Sequence, residues 1–199
     1  MITEARLREL YGDPTPRAAA KVIRTLDKHC RDFIANAPFA VIATSDGTNL
    51  DASPKGDPAG FVIVEDDTHL LIPDRPGNNR IDGMLNILRN PKVALLFLIP
   101  TVNETLRING HATIHDDPPL CEKGALNGRA PKTVLRIEVE EIFVHCGKAP
   151  LRAGLWKPES WPQARPVATL NEIVRDHTEM DVGATDQAAV DEMYAKTLY

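Results

Sequence analysis

Residues 40–62 read AVIATSDGTNLDASPKGDPAGFV, and the way this stretch folds decides the architecture. Phe39 to Thr44 is rich in β-branched and apolar residues and predicts a strand. Asp46-Gly47, a pair that accepts the positive backbone angles of a tight hairpin turn, predicts a return strand from Thr48 to Ala52. The second half, DASPKGDPAG (51–60), is poor in strand formers, and on composition alone it is an exposed loop. Its lack of bulky side chains also suits a bent strand whose backbone a ligand can approach closely.

Outward from this stretch the chain reads as short strands framed by helices. Before it, residues 17 to 36 carry Val22, Ile23, Leu26, Phe33 and Ile34 at roughly helical spacing, ending before Pro38. After it come two short strands, Phe61 to Val64 and His69 to Ile72, joined by a turn at Asp66-Asp67. A loop, DRPGNNR, leads to a short helix over Asp82 to Leu88. Lys92 to Ile99 predicts a central strand, and Leu106 to Ile114 another, with Gly110 as a bulge. Residues 117 to 127 read as helix. In Thr133 to His145, Leu135, Ile137 and Val139 alternate with Arg136, Glu138 and Glu140, the pattern of a half-buried strand. The tail is dotted with prolines to Pro166. It then reads as helix over Leu170 to Arg175 and over Thr185 to Tyr199, the last with Val190, Met193, Tyr194 and Leu198 on one side. Strands at hairpin spacing predict an antiparallel barrel rather than a parallel βαβ sheet.

With 199 residues, 43% hydrophobic and 26% charged, the chain is of ordinary globular composition and suits one domain. Its parts are an N-terminal helical segment (1–37), a barrel core (38–147) and a C-terminal extension (148–199) packing on the barrel or on a second copy. The net charge of −5 argues against a general nucleic-acid binder. No apolar run reaches the ~18 residues of a membrane span, and MITEARLREL has no secretory h-region. The three scattered cysteines, Cys30, Cys121 and Cys146, suggest no disulfide framework, so a reducing cytoplasm is the expected setting.

Several chemistries can be weighed by spacing. His111 and His115 are four apart, but on a strand they stand about 13 Å from each other and cannot share an ion. Neither HExxH nor paired CxxC spacing occurs, so no metal is expected. A Ser-His-Asp hydrolase lacks its GxSxG elbow, and SPKGDPAG lacks the GK[ST] ending of a phosphate-binding Walker loop. The loop Asp74 to Arg80 is more informative: it joins a strand to a helix start, where free N–H groups converge. Asn78 and Asn79 add amide donors and Arg80 a fork for a phosphate. A capped turn with a solvated arginine explains the same residues and is slightly favoured by spacing alone. In KAPLRAGLW, Lys148, Arg152 and Trp156 share a helical spacing of four, which suits either an anion contact beside a flat ring or a tryptophan packed in a groove.

Four stretches together resemble the FMN-binding split barrels related to pyridoxamine 5′-phosphate oxidase. They are AVIATSDGTNLDASPKGDPAGFV, LLIPDRPGNNRIDGMLNILRNPKVALLFLIP, NETLRINGHATI and FVHCGKAPLRAGLW, spanning about residues 30 to 160. The resemblance implies a mainly β (α+β) fold, a six-stranded antiparallel split β-barrel with flanking helices. It also implies a homodimer with FMN at the subunit interface. By the same resemblance Asp51, Ser53, Pro54, Lys55 and Gly56 run alongside the flavin ring, and Asn78, Asn79 and Arg80 grip its phosphate. Asn103, Glu104 and Thr105 reach the flavin from the partner subunit, and Arg152 and Trp156 complete the site. Catalytic residues are not assigned.

The chain departs from the oxidase pattern in three places. Lys55 lies in a Pro/Gly-rich bend rather than at the end of an apolar strand. The phosphate loop carries one charge fewer than the usual Arg-Lys pair. No Arg-x-His substrate signature follows the last barrel strand, which runs into HCGKAP. FMN binding is therefore better supported than oxidation of pyridoxamine 5′-phosphate. The expected function is an FMN-dependent oxidoreductase acting on a small molecule, with NAD(P)H as a candidate reductant. The alternative is a non-catalytic flavin or small-ligand binding module.

Overall fold

The computed structural model describes residues 1–178, 180–183 and 186–199. The chain opens with helices α1 (Glu4–Tyr11), α2 (Pro16–Ala19) and α3 (Lys28–Asn36). The single helix expected over 17–36 does not form. Between α2 and α3, Ile23 bridges to Ile142, donating its N–H at 3.1 Å and accepting that of Ile142 at 2.8 Å. Asp27 then caps α3 by accepting the Cys30 N–H at 2.8 Å. A strand-forming pair, Val22-Ile23, and a capping aspartate inside the apolar pattern outweigh its helical spacing.

Among the described residues seven strands form one antiparallel sheet. They are β1 (Phe39–Ser45), β2 (Leu50–Gly56), β3 (Ile63–Val64), β4 (His69–Pro73), β5 (Lys92–Leu98), β6 (Thr105–His115) and β7 (Val134–His145). Helix α4 (Asp82–Arg89) precedes β5, and α5 (Pro118–Lys123) links β6 to β7. Helices α6 (Lys148–Ala153), α7 (Leu170–Thr178) and α8 (Gln187–Lys196) follow the sheet. The strand order is β2-β1-β5-β6-β7-β4-β3. Among the described residues no ladder joins β2 to β3, so the curled sheet stays open along that line, as a split barrel does. The expected class is correct, and the count exceeds six because β4 also carries the two-residue strand β3.

The hairpin between β1 and β2 forms as Asp46-Gly47 predicts. Asp46 accepts the N–H groups of Thr48 and Asn49 at 2.9 and 2.7 Å, and Gly47 takes φ 96°. These backbone N–H groups, that of Asn49 foremost, hold the Asp46 carboxyl at about 2. The return strand is longer than expected, because DASPKG continues the ladder to Gly56. Pro54 is tolerated there because β2 is an edge strand. Helix α5 is shorter than the expected 117–127. Leu126 and Arg129 close a tight turn over Asn127 (φ 51°) and Gly128 (φ 73°), which ends any helix. Val190 of α8 is buried, but Met193 and Tyr194, and Leu198 beyond the helix end, are 48, 40 and 56% exposed, so the expected apolar face is not buried as a unit. Thr185, where that helix was expected to begin, lies outside the described residues.

The core lies on the concave side of the sheet. Ile42, Leu70, Ile72, Leu95, Phe97, Leu106, Ile108, Ile137 and Ile142 meet there, each at most 3% exposed, with Leu26, Cys30 and Ile34 closing over them. Burying each such side chain contributes about 1.5–3 kcal/mol. Desolvation, with Asp27 nearby, pushes the Cys30 thiol up to about 12, so it serves as a small apolar side chain. Helix α4 packs across β1, β2 and β6.

The β6–β7 ladder slips by one residue between Asn109 and Gly110, where Asn109 faces Glu141 and Gly110 faces Val139. Glu140 is the extra residue, so Val139 and Ile142 both point into the core. A Cβ on Gly110 would stand 2.1 Å from the Glu138 carbonyl oxygen. Gly110→Ala is therefore expected to destabilise the protein by about 3 kcal/mol or more, beyond the usual cost of overpacking. Urea unfolding measures it, and a midpoint like that of the native protein would contradict the assignment of the bulge.

Candidate functional site

Asp51, Ser53 and Lys55 alternate along β2 and stand opposite Thr44, Ile42 and Ala40 of β1. Residues directly opposite in an antiparallel pair share a face, so these three polar side chains lie on the concave side, at its open edge. Each is half-buried. Ser53 donates its hydroxyl to Asp51 at 2.6 Å, and the Lys55 ammonium stands 3.7 Å from Asp74.

Pro54, Ala52 and Gly56 point to the other face. The Asp57 N–H bonds to the Pro38 carbonyl at 3.1 Å and Asp46 N–H to Asn49 carbonyl at 3.3 Å. These bonds fix the phase of the ladder: Asp51, Ser53 and Lys55 bond to β1, while the N–H groups of Ala52 and Gly56 point to the free edge. Pro54, which has no N–H, falls where β1 asks for none.

The loop from β4 to α4 faces this edge. Asn78 accepts the Arg80 N–H at 3.1 Å, and Asn79 and Ile81 have φ 59° and 51°. Neither asparagine caps the helix. The residue before α4 is Ile81, which has no side chain able to do so, and the first turn has no side-chain cap. Arg80 reaches Asp82 at 2.7 Å while staying 73% exposed. That carboxylate, with a smaller contribution from Asp51, stabilises the guanidinium charge. The loop is anchored at its start by Arg75, which donates to the buried Asp57 carboxylate at 2.6 Å and to the Gly124 carbonyl at 2.9 Å.

Asn103, Glu104 and Thr105 lie elsewhere. Thr105 begins β6, separated from β2 by β1 and β5, or about 14 Å at ordinary strand spacing. Its neighbour Leu106 is fully buried, so Thr105 faces the convex side. Gly147 lies so close to Asn103 that a Cβ there would stand 2.5 Å from that of Asn103. Trp156 donates its indole N–H to the Val102 carbonyl at 2.8 Å. Lys148, Arg152 and Trp156 do not share one helical face: α6 ends at Ala153, and Gly154 turns the chain with φ 61°. Trp156 thus lies beyond the helix and holds the 102–105 segment, while Arg152 remains exposed.

Nearby on the convex face, Arg107 pairs with Glu141 and lies 5.4 Å from the Phe143 ring centroid, which meets His145 edge-on. Burial, then Arg107 and Lys21, lowers the affinity of His145 for a proton. One folded chain thus presents two separate groups of candidate residues: β2 with the 74–82 loop at the free edge of the sheet, and the 102–105 segment with Trp156 beyond β1 and β5.

Sequence reasoning missed Asn86, Asp74 and Asp82. Asn86 is 7% exposed and donates its amide to the buried Thr44 hydroxyl at 3.1 Å, fixing α4 on β1. Its one legible signal was a polar residue inside the apolar stripe of α4. Asp74 and Asp82 flank the GNNR loop and partly neutralise Lys55 and Arg80.

The sheet, its open edge and the loop over it are those of a split-barrel protein. The chain belongs to the pyridoxamine 5′-phosphate oxidase family, an FMN-binding split-barrel family, whose model matches residues 26–146. Solved structures with a similar fold include HupZ from Group A Streptococcus, 26% identical over 59% of this chain and 92% of that one, with a TM-score of 0.48. They also include general stress protein 26 from Bacillus anthracis (17% identity, 57% and 88%, TM-score 0.45). A third is an FMN-binding protein from Syntrophomonas wolfei (12% identity, 58% and 83%, TM-score 0.46). No curated protein matches the chain.

Because Asn86 and Thr44 are each other's buried partner, Asn86→Ala is expected to cost about 1–3 kcal/mol. The pair Thr44→Val with Asn86→Leu, which removes both polar groups, should recover part of that loss. Denaturant unfolding of the three variants provides the comparison, and a double variant less stable than Asn86→Ala would contradict the pairing.

Proposed function

We propose that the protein is a homodimeric FMN-binding oxidoreductase acting on a small molecule, with each flavin held between two chains. The observation that carries the reading is the family membership over residues 26–146. The bound flavin would supply the hydride and electron transfer. In this reading the free-edge N–H groups of Ala52 and Gly56 offer donors to the polar rim of the ring. The small residues of β2 leave room for the ring itself. The uncapped first turn of α4, with Asn78, Asn79 and Arg80 before it, offers N–H and guanidinium donors to a phosphate. These residues fit the cofactor, with one cost: a phosphate must draw Arg80 from Asp82, which its exposure permits.

Two observations support a shared site. The second group of candidate residues, Asn103, Glu104, Thr105, Arg152 and Trp156, is too far from β2 to serve the same flavin in one chain. On the convex side, where Pro54 and Gly56 point, Phe39 is 39% and Leu50 86% exposed, an apolar surface suited to a second copy. A cytoplasmic setting accords with three free cysteines. Among the described residues no helix is long and apolar enough to cross a membrane.

The purified protein is expected to be yellow or to take up FMN. Bleaching by NADH or NADPH, with reoxidation by an acceptor, would identify an oxidoreductase. A flavin that no reductant reaches would identify a binding module, and a protein that ignores FMN would overturn both. Arg80→Ala is expected to weaken FMN binding by about 1.5–3 kcal/mol, the worth of a charge-assisted contact; unchanged affinity by fluorescence titration would remove Arg80 from the site. Lys55→Ala is expected to lower the midpoint potential of bound FMN, because a cation near the ring favours the reduced, more negative flavin. An unshifted potential would place Lys55 away from the ring.

A further inference from the structure

Asp57 is the first residue after β2, and its carboxylate is shared by two segments far apart in the chain. The side chain is 2% exposed. One oxygen accepts the Arg75 Nε–H at 2.6 Å, and the other accepts the Tyr199 hydroxyl at 2.6 Å. Tyr199 lies 142 residues from Asp57, beyond the end of α8. The Asp57 carboxylate pushes the phenol up from its ordinary value, so it remains a donor near neutral pH.

Tyr199 is held from a second side by Arg129, which donates to its main-chain oxygen at 2.9 Å. Together with the 74–81 loop, the tyrosine borders a cavity of about 470 Å³. Val190 is the one buried residue among those described in α8, so polar bonds rather than packing of the helix seat Tyr199.

A buried carboxylate needs partners for both of its oxygens. Without the phenol the second oxygen has none, and rotation toward water relieves it at the expense of the Arg75 bond. Arg75 fixes the start of the loop that carries Asn78, Asn79 and Arg80, while α4 fixes its end. We propose that Tyr199 is a positioning residue of the 74–81 loop, acting through Asp57 and Arg75. Its effect on a ligand phosphate rests on the flavin reading; its hold on the loop does not.

Limited digestion with an arginine-specific endoproteinase, read by mass spectrometry, tests that hold. Arg80 is 73% exposed, yet it sits in a loop tied at both ends, and Pro76 protects the bond after Arg75. Tyr199→Phe keeps the ring and removes the hydroxyl. It is expected to speed cleavage after Arg80 about tenfold, as loss of a hydrogen bond to a charged group requires. Cleavage after Arg136, a residue paired on both sides by β4 and β6, should stay as slow as in the native protein. Arg75→Gln should also speed cleavage after Arg80, and adding Tyr199→Phe to it should change nothing further. Unaltered cleavage after Arg80, a parallel rise after Arg136, or additive effects of the two substitutions would each overturn the proposal.

Fluorescence titration with FMN and with riboflavin, which has no phosphate, gives the second readout. Tyr199→Phe is expected to weaken FMN binding about tenfold and to leave riboflavin binding unaltered. Unaltered FMN affinity, or an equal loss for both flavins, would overturn the proposal. A protein that binds neither flavin, while the cleavage results hold, would contradict the flavin reading alone.

Discussion

The sheet depends on one close approach, that of the Gly110 backbone to the Glu138 carbonyl. β6 is bonded on both sides, to β5 and to β7, so a slip in its ladder bends everything beyond it. The bulge at Asn109/Gly110 shifts β7 by one residue and lets Val139 and Ile142 point into the same core despite their odd spacing. It also adds local twist, which turns β7, β4 and β3 back over the hydrophobic centre. Only glycine fits at that point. A flat sheet of the same strands would leave Phe97, Leu106 and Ile137 on an uncovered face, with too few helices to shield them.

How much of this was legible in the sequence depends on the length scale of the interaction. Local signals read well. Asp46-Gly47 made a hairpin, Gly110 marked the place of a bulge whose extra residue, Glu140, lies on the facing strand, and the alternation in 133–139 made a strand, because backbone geometry and side-chain period operate within a few residues. Signals that compete over longer range read poorly. Val22 and Ile23 kept helical spacing, yet Ile23 bonds to Ile142, far along the chain. DASPKG looked like a loop because proline and glycine are weak strand formers. On an edge strand, with the missing N–H turned away from its neighbour, the objection to proline vanishes. The role of Asn86 was illegible for the same reason, since its partner Thr44 lies 42 residues earlier in the chain.

The candidate site follows the same division. The GNNR loop was visible as a cluster of donors, but its electrostatic balance was not, because Asp74 and Asp82 acquire meaning only once Lys55 and Arg80 stand beside them. Trp156 was read as part of a helical face, yet Gly154 ends that helix and sends the indole to the Val102 carbonyl. A tryptophan so placed stiffens the segment carrying Asn103 to Thr105 rather than lying free to stack. The two groups stand apart on one sheet, with β1 and β5 between them.

The GNNR loop differs in kind from most exposed loops. Asn79 and the β-branched Ile81 both sit in the left-handed region, at a cost of about 1–3 kcal/mol for a residue such as Ile81. Arg75 ties the loop to Asp57 at one end, and α4 ties it to the sheet at the other. Its length is thus matched to the span it must cover. Added or deleted residues would let those angles relax and move Arg80 with them, so a segment that looks dispensable by exposure is among the least tolerant of insertion in the molecule.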